Sequence, residues 1–170
     1  TFADRVFFCN SGAEANEAAI KIARKFSSLT NSTEKREILT FEGSFHGRTL
    51  TTISATAQPK YQQGFEPLTE GFRYCPFNDF EEAEKMISPQ TCAVLIEPIQ
   101  GEGGVNSAKS GFLQHLRKLC DQHQALLIFD EIQCGMGRTG KLFGYQWEKS
   151  LESEQTVETP QNENKKPLNI

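Results

Sequence analysis

Apolar runs that alternate with helical stripes predict an α/β fold, a mainly parallel sheet with helices on both faces. Three observations predict it. Leu126-Leu127-Ile128-Phe129 ends abruptly in Asp130, which reads as a buried parallel strand delivering a carboxylate to its carboxyl end. Cys92-Ala93-Val94-Leu95-Ile96 is a second such run, closed by Glu97-Pro98. Between them Phe112, Leu113, Leu116, Leu119, Cys120 and His123 recur at helical spacing. That is one strand–helix–strand unit.

The rest of the chain repeats the pattern. Val6-Phe7-Phe8-Cys9 reads as a strand. Ala15, Ala18, Ala19, Ile22, Ala23 and Phe26 then mark one stripe of a helix. Glu14 and Glu17 near its start, with Lys21, Arg24 and Lys25 further on, suit the helix dipole. Ile38 to Phe41 reads as another short strand. Polar residues cluster after three of these strands, at Asn10-Ser11-Gly12, Glu97 and Asp130, so one edge of the sheet is expected to be the active edge.

The 170 residues carry 18 basic and 22 acidic side chains, a net charge of −4, which argues against a nucleic-acid or membrane-surface partner. No apolar run is long enough to span a bilayer, and no signal-peptide pattern opens the chain. Cys9, Cys75, Cys92, Cys120 and Cys134 include no C-x-x-C pair, and the three histidines are scattered, so neither a disulfide framework nor a metal site is expected. A reducing compartment fits. Both ends look cut. Residues 1–147 read as part of a larger domain and 148–166 as a polar, flexible insert. Residues 167–170 read as a truncated return to structure.

Four segments can carry chemistry. Ser11, Gly12 and Ala13 lie where the first strand meets the first helix, and small residues there open backbone N–H groups to an anion. Ser11 and Glu14 equally suit a capping box. Gly43-Ser44-Phe45-His46-Gly47-Arg48-Thr49 offers two aromatic side chains for a flat ligand and an arginine for a carboxylate, although a packed Phe and an exposed Arg would look the same. Glu97-Pro98-Ile99-Gln100-Gly101-Glu102-Gly103-Gly104 places two carboxylates at the sheet edge, as acid/base groups or partners for an arginine. Gly135-Met136-Gly137-Arg138-Thr139-Gly140-Lys141-Leu142 matches G-x-x-x-x-G-K. Leu142 stands where a nucleotide loop needs Ser or Thr, and no helical stripe follows, so that reading is rejected.

Together these segments resemble the class III (ornithine-type) aminotransferases over Val6 to about Trp147. Phe7 to Glu17, Ser44 to Thr49, Glu97 to Gly104 and Asp130-Glu131-Ile132-Gln133 occur in that family's order and approximate spacing. The resemblance implies the large domain of the type I aminotransferase fold and pyridoxal 5'-phosphate as cofactor. It implies that Ser11, Gly12 and Ala13 bind the phosphate, that Phe45 stacks on the ring with His46 beside it, and that Asp130 pairs with the ring nitrogen. Gln133 would bond the ring's phenolic oxygen, Arg48 a substrate carboxylate, and Glu102 would mask a second substrate arginine. Glu97 is a further candidate.

Within the family the details are most similar to the acetylornithine branch. That implies transfer of an amino group from N-acetylornithine to 2-oxoglutarate in arginine biosynthesis, by a homodimer with a shared site. Ornithine and 4-aminobutyrate aminotransferases are the alternatives, as is a truncated, non-catalytic relative acting as a binding or assembly protein. The family's cofactor-anchoring lysine has no counterpart here, since Lys141, Lys149, Lys165 and Lys166 lack its context. The chain alone is therefore expected to be inactive. The polar insert suggests a mitochondrial matrix enzyme, otherwise a cytoplasmic one.

Overall fold

The computed structural model describes residues 3–30 and 34–148. The polar insert beyond Glu148, the return at 167–170, and Lys149, Lys165 and Lys166 lie outside the described residues. The chain runs α1 (Gly12–Thr30), β1 (Glu37–Phe41), α2 (Leu50–Ala55), α3 (Pro59–Gln62), β2 (Phe72–Cys75) and α4 (Phe80–Met86). It continues through β3 (Thr91–Ile96), β4 (Ile99–Gln100), β5 (Asn106–Ser107), α5 (Phe112–Gln122) and β6 (Leu126–Phe129) to a 3-10 turn at Gly144–Trp147.

Four strands form one sheet in the order β2-β1-β3-β6, with every ladder parallel. Alternation along each strand sends successive side chains to opposite faces. Leu39, Phe41, Val94, Ile96, Leu127 and Phe129 pack with Phe112, Leu113, Leu116 and Leu119 of α5. Ile38, Ala93, Leu95, Leu126 and Ile128 pack with Ile20 and Ala23 of α1 and Ala55 of α2. Helices thus cover both faces, as the alternating pattern predicts. β3 lies inside the sheet and all six of its residues are buried. Full burial of each large apolar side chain there contributes roughly 1.5–3 kcal/mol.

Three local expectations need correction. Val6 to Cys9 forms no strand and pairs with none among the described residues, and Phe8 is 88% exposed. An apolar run becomes a strand only when a neighbour supplies the opposite row of N–H and C=O groups. The buried stripe of α1 is Asn16, Ile20, Ala23 and Ser27, whereas Ile22 and Phe26 are exposed. That stripe is one residue, about 100°, away from the expected one. Two of its members are polar and have buried partners, which a count of apolar residues overlooks. Finally, β6 is a half-buried edge strand rather than a buried one, because β3 pairs one side and no described strand pairs the other. α2, α3, α4 and β2 are short and were not anticipated. Nor was the antiparallel hairpin of β4 and β5, which presents Glu102 near its tip.

Candidate active site

β1, β3 and β6 all run the same way, so the segments that follow them meet at one edge of the sheet. The N-terminus of α1 arrives there too. Gly47, with φ +134°, makes this approach feasible: a Cβ on it would stand 2.8 Å from Ala13 Cβ and 3.0 Å from Ala13 Cα.

Asp130 is the centre of the arrangement. Its N–H extends the ladder to the Ile96 carbonyl at 2.8 Å, which fixes its backbone at the carboxyl end of β6. Oδ2 accepts from Asn16 Nδ2 and from His46 Nδ1, both at 2.8 Å, and Oδ1 accepts from the Ile132 N–H at 3.1 Å. Burial pushes this carboxyl up. The His46 bond and charge, with the Asn16 and Ile132 bonds, outweigh it and hold the group below its ordinary value. An ionised carboxylate can only accept, so His46 Nδ1 carries the proton. Its side-chain partners within the protein are an imidazole and an amide.

His46 is buried behind Asp130. Its N–H donates to Thr56 Oγ1 at 2.9 Å and its carbonyl accepts from Asn16 Nδ2 at 2.8 Å. Nε2 is buried with no partner among the described residues. Phe45, one residue earlier, is half-buried; its N–H donates to Glu97 Oε2 at 3.0 Å and its ring meets the Tyr61 ring edge-on at 5.3 Å. Arg48 is exposed and lies over both rings, 5.9 Å from the Phe45 centroid and 5.6 Å from that of Tyr61.

Glu97 is only 3% exposed, and burial pushes its carboxyl up to about 7 despite His46 and the Phe45 N–H pulling it down. Its partner is a backbone amide rather than an arginine. Glu102 is exposed and accepts from the Tyr61 hydroxyl at 3.4 Å. Gln133 is exposed, and Gly101 makes room for it, since a Cβ there would fall 2.2 Å from Gln133 Oε1. Ser11 Oγ accepts from the Glu14 N–H at 3.2 Å, and Glu14 Oε2 accepts from the Asn10 N–H at 2.6 Å. The cap is therefore real, and it leaves the Gly12 and Ala13 N–H groups at the open turn of the helix.

Sequence reasoning missed three residues. Asn16 carried no signal, since it lies outside the apolar stripe of its helix. Glu131 accepts from the N–H groups of Gly144 and Tyr145 at 2.8 and 2.9 Å and from Cys134 Sγ at 3.0 Å, so it braces the turn after Asp130. Tyr61 carried no signal. The glycine-rich segment 135–142 stays in turns and leads to the short 3-10 turn at Gly144–Trp147 rather than to an α-helix. Lys141 there donates to the Gln146 carbonyl at 2.6 Å and lies over Trp147.

Residues 1–152 match the family model Aminotransferase class-III. The chain belongs to the class III aminotransferases. It is 61% identical over 152 residues to an acetylornithine aminotransferase of Xanthomonas campestris, covering 88% of this chain and 37% of that protein. It is 59% identical over 145 residues to a succinylornithine transaminase of Salmonella paratyphi A, covering 85% of this chain and 36% of the relative. The N-acetylornithine aminotransferase of Stenotrophomonas maltophilia has a similar structure, with a TM-score of 0.70 and 52% identity over 86% of this chain and 35% of the other. The ornithine aminotransferase of Toxoplasma gondii superposes with a TM-score of 0.79 at 37% identity, over 83% of this chain and 34% of the other. The fold is that of the type I aminotransferases. This class III chain therefore spans little more than a third of the length of these relatives. Class III aminotransferases use pyridoxal phosphate.

Proposed function

We propose that this chain is the cofactor-binding part of an aminotransferase that moves an amino group from N-acetylornithine to 2-oxoglutarate. The observation that carries the reading is the buried Asp130 carboxylate, kept ionised at the edge where the open turn of α1 also arrives. A carboxylate has about four lone-pair sites. Asn16, His46 and Ile132 occupy three and leave one for an incoming N–H. The residues present therefore fit pyridoxal phosphate. Gly12 and Ala13 would hold its phosphate with backbone N–H groups, Ser11 flanking them as the helix cap. Phe45 would support the ring face, and Gln133 would bond its phenolic oxygen.

When bound, the cofactor supplies a ring that draws electrons from the substrate's Cα. Asp130 would keep a proton on the ring nitrogen by its opposite charge, and Asn16 and His46 would keep Asp130 ionised. Arg48 would bind a substrate carboxylate, since its guanidinium rests on ring faces and makes no hydrogen bond among the described residues. Glu102, on the hairpin, would adjust the pocket between the two substrates. The lysine that anchors the cofactor would come from outside the described residues, because Lys141 is held by Gln146 and Trp147. A homodimer and a cytoplasmic location belong to this proposal. The relatives above named from sequence are bacterial, and they lend the mitochondrial expectation no support.

The test is turnover by the full-length protein with N-acetylornithine, N-succinylornithine, ornithine and 4-aminobutyrate, each against 2-oxoglutarate. The highest kcat/KM should fall on N-acetylornithine; a preference for ornithine or 4-aminobutyrate refutes the substrate. No turnover, together with no pyridoxyl-lysine after borohydride reduction, would favour the non-catalytic relative.

A further inference from the structure

Tyr61 touches three residues assigned to the pocket, from two separate segments. It sits on α3, and its ring meets Phe45 edge-on at 5.3 Å. The Arg48 guanidinium lies over the same ring at 5.6 Å, and the hydroxyl donates to Glu102 Oε2 at 3.4 Å. The Lys60 ammonium also lies over the ring, at 4.7 Å.

Seating on a ring face attracts a guanidinium without consuming its N–H donors. Arg48 accordingly forms no ion pair or hydrogen bond among the described residues, although an acidic side chain lies across one phenol ring from it. Left to itself, an exposed glutamate on a hairpin tip is a natural bidentate partner for such an arginine. The pair would close the site to a carboxylate arriving from solution. The phenol opposes this at both ends, since its face holds the cation and its hydroxyl holds the anion.

We propose that Tyr61 is a specificity-determining residue of this pocket, presenting Arg48 to a substrate carboxylate while keeping Glu102 from neutralising it. The inference rests on the reading above in which Arg48 receives a substrate carboxylate. Phenylalanine at this position keeps the ring and removes only the hold on Glu102, so Tyr61→Phe is the informative variant.

The experiment is calorimetric binding of glutarate, a dicarboxylate that cannot be transaminated, to the full-length holoenzyme. Parent, Tyr61→Phe, Glu102→Gln and the double variant form one cycle. Tyr61→Phe should raise the glutarate Kd about fivefold, the scale of one lost hydrogen bond. In the Glu102→Gln background the same substitution should change nothing, because no competing carboxylate remains. An unchanged Kd for Tyr61→Phe overturns the inference, as does an equal rise in both backgrounds. A parent protein that binds glutarate but transaminates none of the four amines sinks the proposed reaction without touching this cycle. A parent that does not bind glutarate overturns the role of Arg48 and the inference together.

Discussion

A carboxylate buried as deeply as Asp130 stays ionised only because donors converge on it. Asn16 and His46 supply two of them on one oxygen, and neither is close to Asp130 in sequence. Asp130→Asn should lower kcat of the full-length enzyme on the order of a hundredfold or more, the scale of losing a charge-stabilising group in a preorganised site. Asn16→Leu should lower it less, about tenfold, since it weakens Asp130 without removing it. Steady-state kinetics on the two variants checks the order; equal losses would mean that Asn16 acts directly.

Glu97 behaves in the opposite sense to Asp130. Its carboxyl is pushed from 4.5 up to about 7, so through that window the folded protein keeps a proton that the unfolded chain releases. Stability therefore falls as pH rises from about 4.5 to about 7, and the whole cost is present above the upper value. Glu97→Gln should remove this slope. Relative to the parent it should gain up to about 3 kcal/mol between pH 5 and pH 8, measured by urea unfolding of the full-length protein at both pH values. Parallel pH profiles would show that Glu97 is ionised in the folded state throughout.

At the scale of elements, the connection from α5 into β6 depends on a side chain from elsewhere in the chain. Lys35 is nearly buried, and its ammonium donates to the carbonyls of His123 and, at 3.0 Å, of Gln124. These are orphan groups at the helix C-terminus that no further turn satisfies. Lys35→Met should cost about 1–3 kcal/mol, the penalty for leaving such acceptors without a donor, read as a lower Tm with unchanged cofactor affinity. α1 shows a limit of pattern reading at this scale. Its helix and its dipole-matched charges were legible, yet its buried face was not. Asn16 and Ser27 face inward because each has a partner, Asp130 and the Lys35 carbonyl, whose position only the packed structure supplies.

Over the whole molecule, the described residues leave apolar side chains in the open. Val6, Phe7 and Phe8, Ile22, Phe26 and Leu29, and Ile132 are all exposed, and the outer edge of β6 pairs with no described strand. Exposed apolar groups and an unpaired strand edge invite association. The 170-residue chain expressed by itself should therefore bind an apolar dye more strongly, per mole, than the full-length protein. It should also sediment as a mixture of associated species. A monodisperse chain with no dye binding would show that these faces are already covered.

By itself the sequence determined the class of fold and the edge at which chemistry gathers. Strand runs ending in Glu97 and Asp130, with a small-residue turn at Gly12-Ala13, are local patterns, and parallel strands carry them to one edge wherever the sheet forms. The resemblance of four ordered motifs to class III aminotransferases was legible for the same reason. Only the tertiary structure decided the partners. Asn16 against Asp130, Glu97 against the Phe45 amide, and Tyr61 between Arg48 and Glu102 join residues that lie far apart in the chain. Which donor meets which acceptor follows from strand order, helix rotation and loop path, and no single segment encodes any of these.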